Sequence, residues 1–261
     1  MKDKLQTLLD NLPKELLPYR EKIEATKDIY IPIELEERED ISLTTSKVGG
    51  YPYLPMDMEY PVGKDGGKLD FLAQINFAEM PPLKDYPTEG LLQFYIDYEM
   101  EIDFESSLDS NIKIIYHKDT NTPYQTKFPK LDEIRKDPAY LSPIIDNKEF
   151  KMIFKPYEYE FVGYMDFRVE NLGITEESTM YKYWDSSFSS SGHKIGGYAF
   201  FTQEDPRFYS KEVKKYTKLL LQLDSDNNLC WGDAGVGNFF ITEEDLKNRD
   251  FSKVMFNWDC H

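Results

Sequence analysis

Side-chain amides do no acid–base work, but each offers two N–H donors and a carbonyl acceptor, so amides at alternate strand positions are recognition groups. Gln74 and Asn76 follow Leu72 at such positions, and Gln222 and Asp224 follow Leu220 in the same way. Strand alternation predicts that each trio shares one face, with Leu69, Phe71, Ala73, Ile75 and Phe77 opposite the first and Leu219, Leu221 and Leu223 opposite the second. An approximate two-fold axis would make the two polar stripes symmetry mates. A cleft between them would then combine apolar walls with convergent polar groups. In the competing reading each glutamine satisfies the backbone of a neighbouring loop.

A second constellation is Gln203-Glu204-Asp205-Pro206-Arg207. Asp205 suits an N-cap with Pro206 at the first helical position, while the fork of Arg207 suits a carboxylate or phosphate. Asp233, in the turn Trp231-Gly232-Asp233-Ala234-Gly235, is placed to bond backbone amides. Residues 224–228 begin like a calcium loop, but Leu229 stands where the turn needs Gly, and Gly235 where a bidentate Glu is required. His117, His193 and His261 are far apart, and Cys260 beside His261 would point to the opposite strand face. No catalytic residue is assigned, and no metal or cofactor is expected. The candidate ligand or partner cleft comprises Gln74, Asn76, Gln203, Asp205, Arg207, Gln222, Asp224 and Asp233.

Recurring blocks set the elements that must position these residues. Gly49-Gly50-Tyr51 returns as Gly196-Gly197-Tyr198, residues 71–76 as 219–224, 94–96 as 239–241, and 113–119 as 253–259. The shared order predicts an internal duplication: repeat one over about 29–119, a connection over 120–148 and repeat two over 149–261, in a single compact domain 1–261. Leu5, Leu8, Leu9 and Leu12 form a helical stripe that Pro13 ends, and a second short helix is expected over 14–26. Ile29, Ile31, Ile33 and Leu35 alternate as on a strand. Further strands are expected near 43–48, 69–77, 91–98, 112–117, 150–162, 197–202, 218–224, 237–241 and 253–258. Helices are expected near 176–184 and 207–217, and one opens at Thr242 with a capping-box pattern. The fold class is α+β, with mostly antiparallel sheets and a short N-terminal helical segment. Residues 99–111, acidic and weakly patterned, and the Pro-containing stretch 119–148 read as connections.

The 48 acidic and 31 basic residues give a net charge of −17, which repels nucleic acid and anionic lipid and favours a basic partner. No run of about 18 apolar residues suits a membrane span, and the first twenty residues make a poor signal peptide. Cys230 and Cys260 are too few for a disulfide framework, which points to the cytoplasm.

Gly49-Gly50-Tyr51-Pro52-Tyr53-Leu54-Pro55, residues 71–77 and Gly90-Leu91-Leu92-Gln93-Phe94 carry a family resemblance in the first half. They are joined by Gly196-Gly197, residues 203–207 and 219–224, Trp231-Gly232-Asp233 and the stretch from Asp250-Phe251-Ser252 through Trp258-Asp259-Cys260. Together these stretches resemble the YwqG-like family of uncharacterised bacterial proteins. The resemblance implies a compact α+β protein with an internal repeat and brings no catalytic residues, because the family has no settled activity. Through members thought to lie near secreted-toxin genes, it also implies toxin neutralisation. The leading expectation is therefore a binding protein, in its sharpest form an immunity-type inhibitor of a basic toxin, using the inter-repeat cleft or an acidic face. The alternative is an enzyme acting on a small polar molecule through carboxylates in that cleft. The oligomeric state is left open.

Overall fold

The computed structural model describes residues 4–97, 112–134, 142–185 and 188–261, so residues 99–111 and Pro138 lie outside the described part. The leucine stripe forms helix α1 (Lys4–Asp10), which buries Leu5 and Leu9. Pro13 stops it, and the helix expected over 14–26 forms in two pieces, a 3-10 turn and α2 (Arg20–Ala25). These pieces pack Leu12, Leu16 and Ile23 against Phe161, Val162 and Leu172.

The eleven strands among the described residues are β1 (Asp28–Glu37), β2 (Lys47–Val48), β3 (Asp70–Asn76), β4 (Leu91–Ile96), β5 (Ile112–His117), β6 (Phe150–Phe154), β7 (Glu158–Glu160), β8 (Lys194–Gly196), β9 (Lys218–Asp224), β10 (Val236–Ile241) and β11 (Met255–Asp259). Their order in one antiparallel sheet is β11-β10-β9-β8-β1-β6-β2-β3-β4-β5, with β7 also on β1. Three further helices, α3 (Leu131–Ile134), α4 (Glu177–Asp185) and α5 (Glu243–Asn248), are short. The result is a sheet-rich body with a few short helices.

The sheet curls back on itself. Strands β4 and β10 stand seven places apart in the order, which in a flat sheet would separate them by about 33 Å. Instead the Phe94 and Phe239 rings meet at 4.8 Å inside the central core. The order β2-β3-β4-β5 is matched by β8-β9-β10-β11 on the other side. Between them, β1 borders β8 while β6 borders β2, so each group of strands is completed from the far side of the chain.

Strict alternation fails at one position in each group. On β3 the register jumps from Phe71↔Tyr95 to Ala73↔Phe94, and between β9 and β10 from Leu219↔Phe240 to Leu221↔Phe239. Leu72 and Leu220 are therefore bulged and turn inward to the core instead of sharing the glutamine face. Leu69 and Phe71 pack outside with Tyr95, and Leu219 packs outside with Phe240.

Several other expectations change. The strand expected over 43–48 contracts to β2, and that over 150–162 divides around Pro156, which has no N–H to donate. The strand expected over 197–202 lies earlier, as β8, because Gly196 and Gly197 take φ of 78° and 68° and leave the extended region. The helix expected over 207–217 is only a 3-10 turn, Pro206–Phe208. Thr242 does cap α5, its side chain accepting the Asp245 N–H.

Candidate functional site: two amide-clamped loops

Gln74 and Gln222 are fully buried, and each is spent on one loop. Gln74 Nε2 donates to the carbonyls of Leu43 and Thr45 at 2.7 and 2.8 Å, and its Oε1 accepts the Tyr53 N–H at 3.2 Å. Gln222 Nε2 donates to the carbonyls of Ser190 and Gly192, both at 2.8 Å, and its Oε1 accepts the Phe200 N–H at 2.8 Å. On the adjoining strands, Gln93 donates to the Tyr53 carbonyl at 2.7 Å and Asn238 to the Phe200 carbonyl at 2.8 Å. Side-chain amides thus pair both main-chain groups of Tyr53 and of Phe200, as a neighbouring strand would.

The expectation that the two amide stripes face one another is corrected. Ala73, Ile75 and Phe94 meet Leu221, Leu223 and Phe239 in the central core, so the inward sides are apolar. The glutamines lie on the other side, each beneath its own loop, and they share no partner. Asn76 likewise serves its surroundings, with Nδ2 on the Thr44 carbonyl at 2.9 Å and Oδ1 accepting the Ala78 N–H at 3.1 Å.

Each clamped loop contains a Gly-Gly step set against a Lys–Glu pair. Lys47 lies 2.7 Å from Glu149, and Lys194 lies 2.8 Å from Glu160. A Cβ on Gly50 would stand 2.3 Å from Glu149 Oε1, and one on Gly197 only 2.1 Å from Glu160 Oε1, so a side chain at either position would push the glutamate aside, at a φ of 70° or 68° that already disfavours one. Glu160 also accepts the Tyr198 N–H at 2.7 Å. Burial pulls both lysines below the ordinary lysine range, against the pull of their glutamates. These pairs were missed from sequence. The available signal was the lysine two places before each Gly-Gly, in Lys47-Val48-Gly49-Gly50 and Lys194-Ile195-Gly196-Gly197.

Arg207 is not an open anion clamp. It is fully buried, its Nε and Nη2 donate to Asp205, Nη2 also reaches Asp166 at 3.0 Å, and Nη1 donates to the Tyr216 carbonyl at 3.0 Å. Its guanidinium lies 4.1 Å from the Phe240 ring centre. Asp205 caps the 3-10 turn by accepting the Arg207 N–H and also accepts the Phe167 N–H, both at 2.9 Å. Burial pushes the Asp166 carboxyl up, but Arg168 and Arg207 outweigh it and hold it at about 2.

The remaining candidates are scattered. Gln203 is exposed and donates to the Cys260 carbonyl at 2.6 Å. Asp224 accepts the Gly192 N–H at 2.6 Å, which ties it to the Gln222 loop. Asp233 is exposed, and its main-chain carbonyl accepts the His261 N–H. Among the described residues no group of three or more His, Cys, Asp or Glu is placed to hold a metal ion. The structure thus joins Asp205 to Arg207 and Gln222 to Asp224, and leaves Gln74 with Asn76, Gln203 and Asp233 as separate places.

A pocket opens beside each Gly-Gly loop. The first, about 170 Å³, is bounded by Gly50, Tyr51, Phe71, Phe128 and Lys148, with the Tyr51 and Phe128 rings stacked at 4.9 Å. The second, about 130 Å³, is walled by Tyr164, Trp184, Phe188, Ser190 and Phe200.

Fold and site together define a curled antiparallel sheet that carries two amide-clamped loops with a small pocket beside each. Residues 46–260, a span that includes both glutamines and both Gly-Gly steps, match the model of a family described as a domain of unknown function, DUF1963, and the chain belongs to that family. A search of curated proteins finds no match.

Proposed function

We propose that this chain is a cytoplasmic protein-binding module that recognises a basic protein, in its sharpest form an immunity-type inhibitor of a basic toxin. The observation that carries this reading is where the charge resides. Lys47, Lys194, Arg168 and Arg207 are paired with Glu149, Glu160, Asp166 and Asp205 in or at the edge of the core. Setting these four cations and four anions aside leaves 31 − 4 = 27 basic and 48 − 4 = 44 acidic residues, so the whole −17 belongs to the rest of the molecule. A field of that sign steers basic partners and repels acidic ones.

Acid–base catalysis draws less support, because Asp205, Arg207 and Asp224 are engaged with backbone groups and with each other. The matched strand orders, the paired bulges at Leu72 and Leu220 and the twin glutamine clamps support descent from a duplicated unit. They also support placement with the YwqG-like proteins inside the larger family. The test is affinity capture from the source cells at about 50 and about 300 mM salt. The expected result is a basic protein retained at low salt and released at high salt, and enrichment of no basic protein at either salt counts against the proposal.

A further inference from the structure

The second pocket has a construction that the binding role does not by itself require. Its walls come from three separate stretches, with Gly163, Tyr164 and Met165 on one side, Trp184, Phe188 and Ser190 on another, and Ala199 and Phe200 closing it. Trp184 is 57% exposed and Tyr181 beside it 52%, although aromatic side chains of this size are ordinarily well covered. At about 130 Å³ the cavity is well below the roughly 300 Å³ at which cofactor and drug-sized sites begin. Its natural guest is one protruding side chain.

Two serines line this aromatic enclosure: the Ser189 hydroxyl donates to Ser191 at 2.9 Å, and Ser190 lies next to it. The Ser190 hydroxyl is buried without a hydrogen-bond partner, in a residue only 3% exposed. A Cβ on Gly163 would stand 2.9 Å from that oxygen, so the glycine keeps the space beside it free. Gln222 fixes the two walls on either side by holding the Ser190 carbonyl and the Phe200 N–H on one amide.

We propose that this pocket receives an arginine side chain of the basic partner, with the guanidinium on the Trp184 and Tyr164 rings and one N–H donated to the Ser190 hydroxyl. The proposal rests on the reading of the chain as a binder of a basic protein. An alkyl guest would leave the buried hydroxyl unpaired, whereas a guanidinium both stacks on aromatic faces and donates sideways in its plane. Glu177 lies four and seven residues before Tyr181 and Trp184 on α4, so an exposed carboxylate shares the helix face that carries the exposed rings. The same chemistry already operates inside the molecule, where the Arg168 guanidinium lies 4.3 Å from the Tyr198 ring centre.

The experiment titrates the full chain with blocked Gly-X-Gly tripeptides carrying arginine, lysine or norleucine, followed by the indole N–H signal of Trp184 and by calorimetry. Saturable binding of the arginine peptide is expected, with the norleucine peptide at least roughly tenfold weaker. Trp184→Ala should lose roughly tenfold and Trp184→Phe only a few-fold, since a ring face remains. Gly163→Ala and Ser190→Ala should each weaken binding several-fold while thermal unfolding stays near the parent's. Equal binding of the norleucine peptide, equal or tighter binding of the lysine peptide, or an unchanged affinity in Trp184→Ala overturns the assignment. If Trp184→Ala still captures a salt-sensitive basic protein from lysate with undiminished affinity, the pocket is refuted while the broader binding role stands. If no basic protein is captured by the parent, that role falls, and the peptide titration still decides the pocket.

Discussion

Replacing Gln222 by leucine tests the idea that a side-chain amide substitutes for a strand beside the 190–200 segment. The change orphans the Phe200 N–H and the carbonyls of Ser190 and Gly192. Gly192 is exposed, so its carbonyl regains water, but Gln222 and Ser190 are buried and the other two groups are not so easily rehydrated. At roughly 1–3 kcal/mol for each buried unpaired group, less about 1 kcal/mol regained from the added apolar surface, the net loss is about 3 kcal/mol. For a chain of this size that lowers the unfolding midpoint by roughly 6–12 °C. Gln222→Glu sharpens the test because it keeps the shape and the acceptor for Phe200 but, once ionised, has no donor. The introduced carboxyl would face two carbonyls, which favours its protonated form and raises its folded pKa above the unfolded value. The protonated carboxyl keeps one donor of the two, so the pH-dependent part of the penalty is absent below the unfolded pKa near about 4.3, grows as pH rises, and is complete above the raised folded pKa. Urea unfolding at pH 5 and pH 8 should show Gln222→Leu equally destabilised at both and Gln222→Glu worse at pH 8. The clamp is refuted if Gln222→Leu stays within about 0.5 kcal/mol of the parent, or if Gln222→Glu is the milder change at pH 8.

Two further expectations concern the buried ion network. Arg207→Met removes the guanidinium that pairs Asp205 and Asp166 and should cost about 3–5 kcal/mol, part of which Asp205→Asn in the same chain restores because one stranded charge is gone. An unfolding free energy no better in the double variant than in the single one would contradict the pairing. Asp166 titrates at about 2 when folded, below its ordinary 3.8, so its contribution of roughly 2 kcal/mol is present above 3.8 and is lost as pH falls through about 2. Comparing urea midpoints at pH 6 and pH 2 should show a larger acid loss in the parent than in Asp166→Asn, and equal losses would remove Asp166 as the responsible group.

Much of the site was legible as chemistry but not as geometry. Gln74 and Gln222 stand out from sequence because a polar side chain recurs in the same apolar strand context, and both prove to be organising residues. Their direction was not legible. It depends on the bulges at Leu72 and Leu220, and each bulge is a property of the register with the neighbouring strand. Arg207 shows the same division: its proximity to Asp205 was readable, whereas its burial needed Phe240, 240 − 207 = 33 positions away, and Asp166, 41 positions away. The aromatic pocket left no sequence signal, since Tyr164, Trp184 and Phe200 belong to no shared periodicity.

The sequence by itself determined the features that arise within a few residues. These are the stop at Pro13, the Thr242 and Asp205 caps and the excess of negative charge. Each follows from local sterics, a hydrogen bond spanning two or three residues, or a sum over composition. Tertiary structure alone decided which face each glutamine served, which glutamate met each buried lysine, and which three stretches enclosed the pocket near Trp184. Those outcomes depend on strand order and sheet curvature, which set the distances between groups far apart along the chain, and no local propensity encodes such distances.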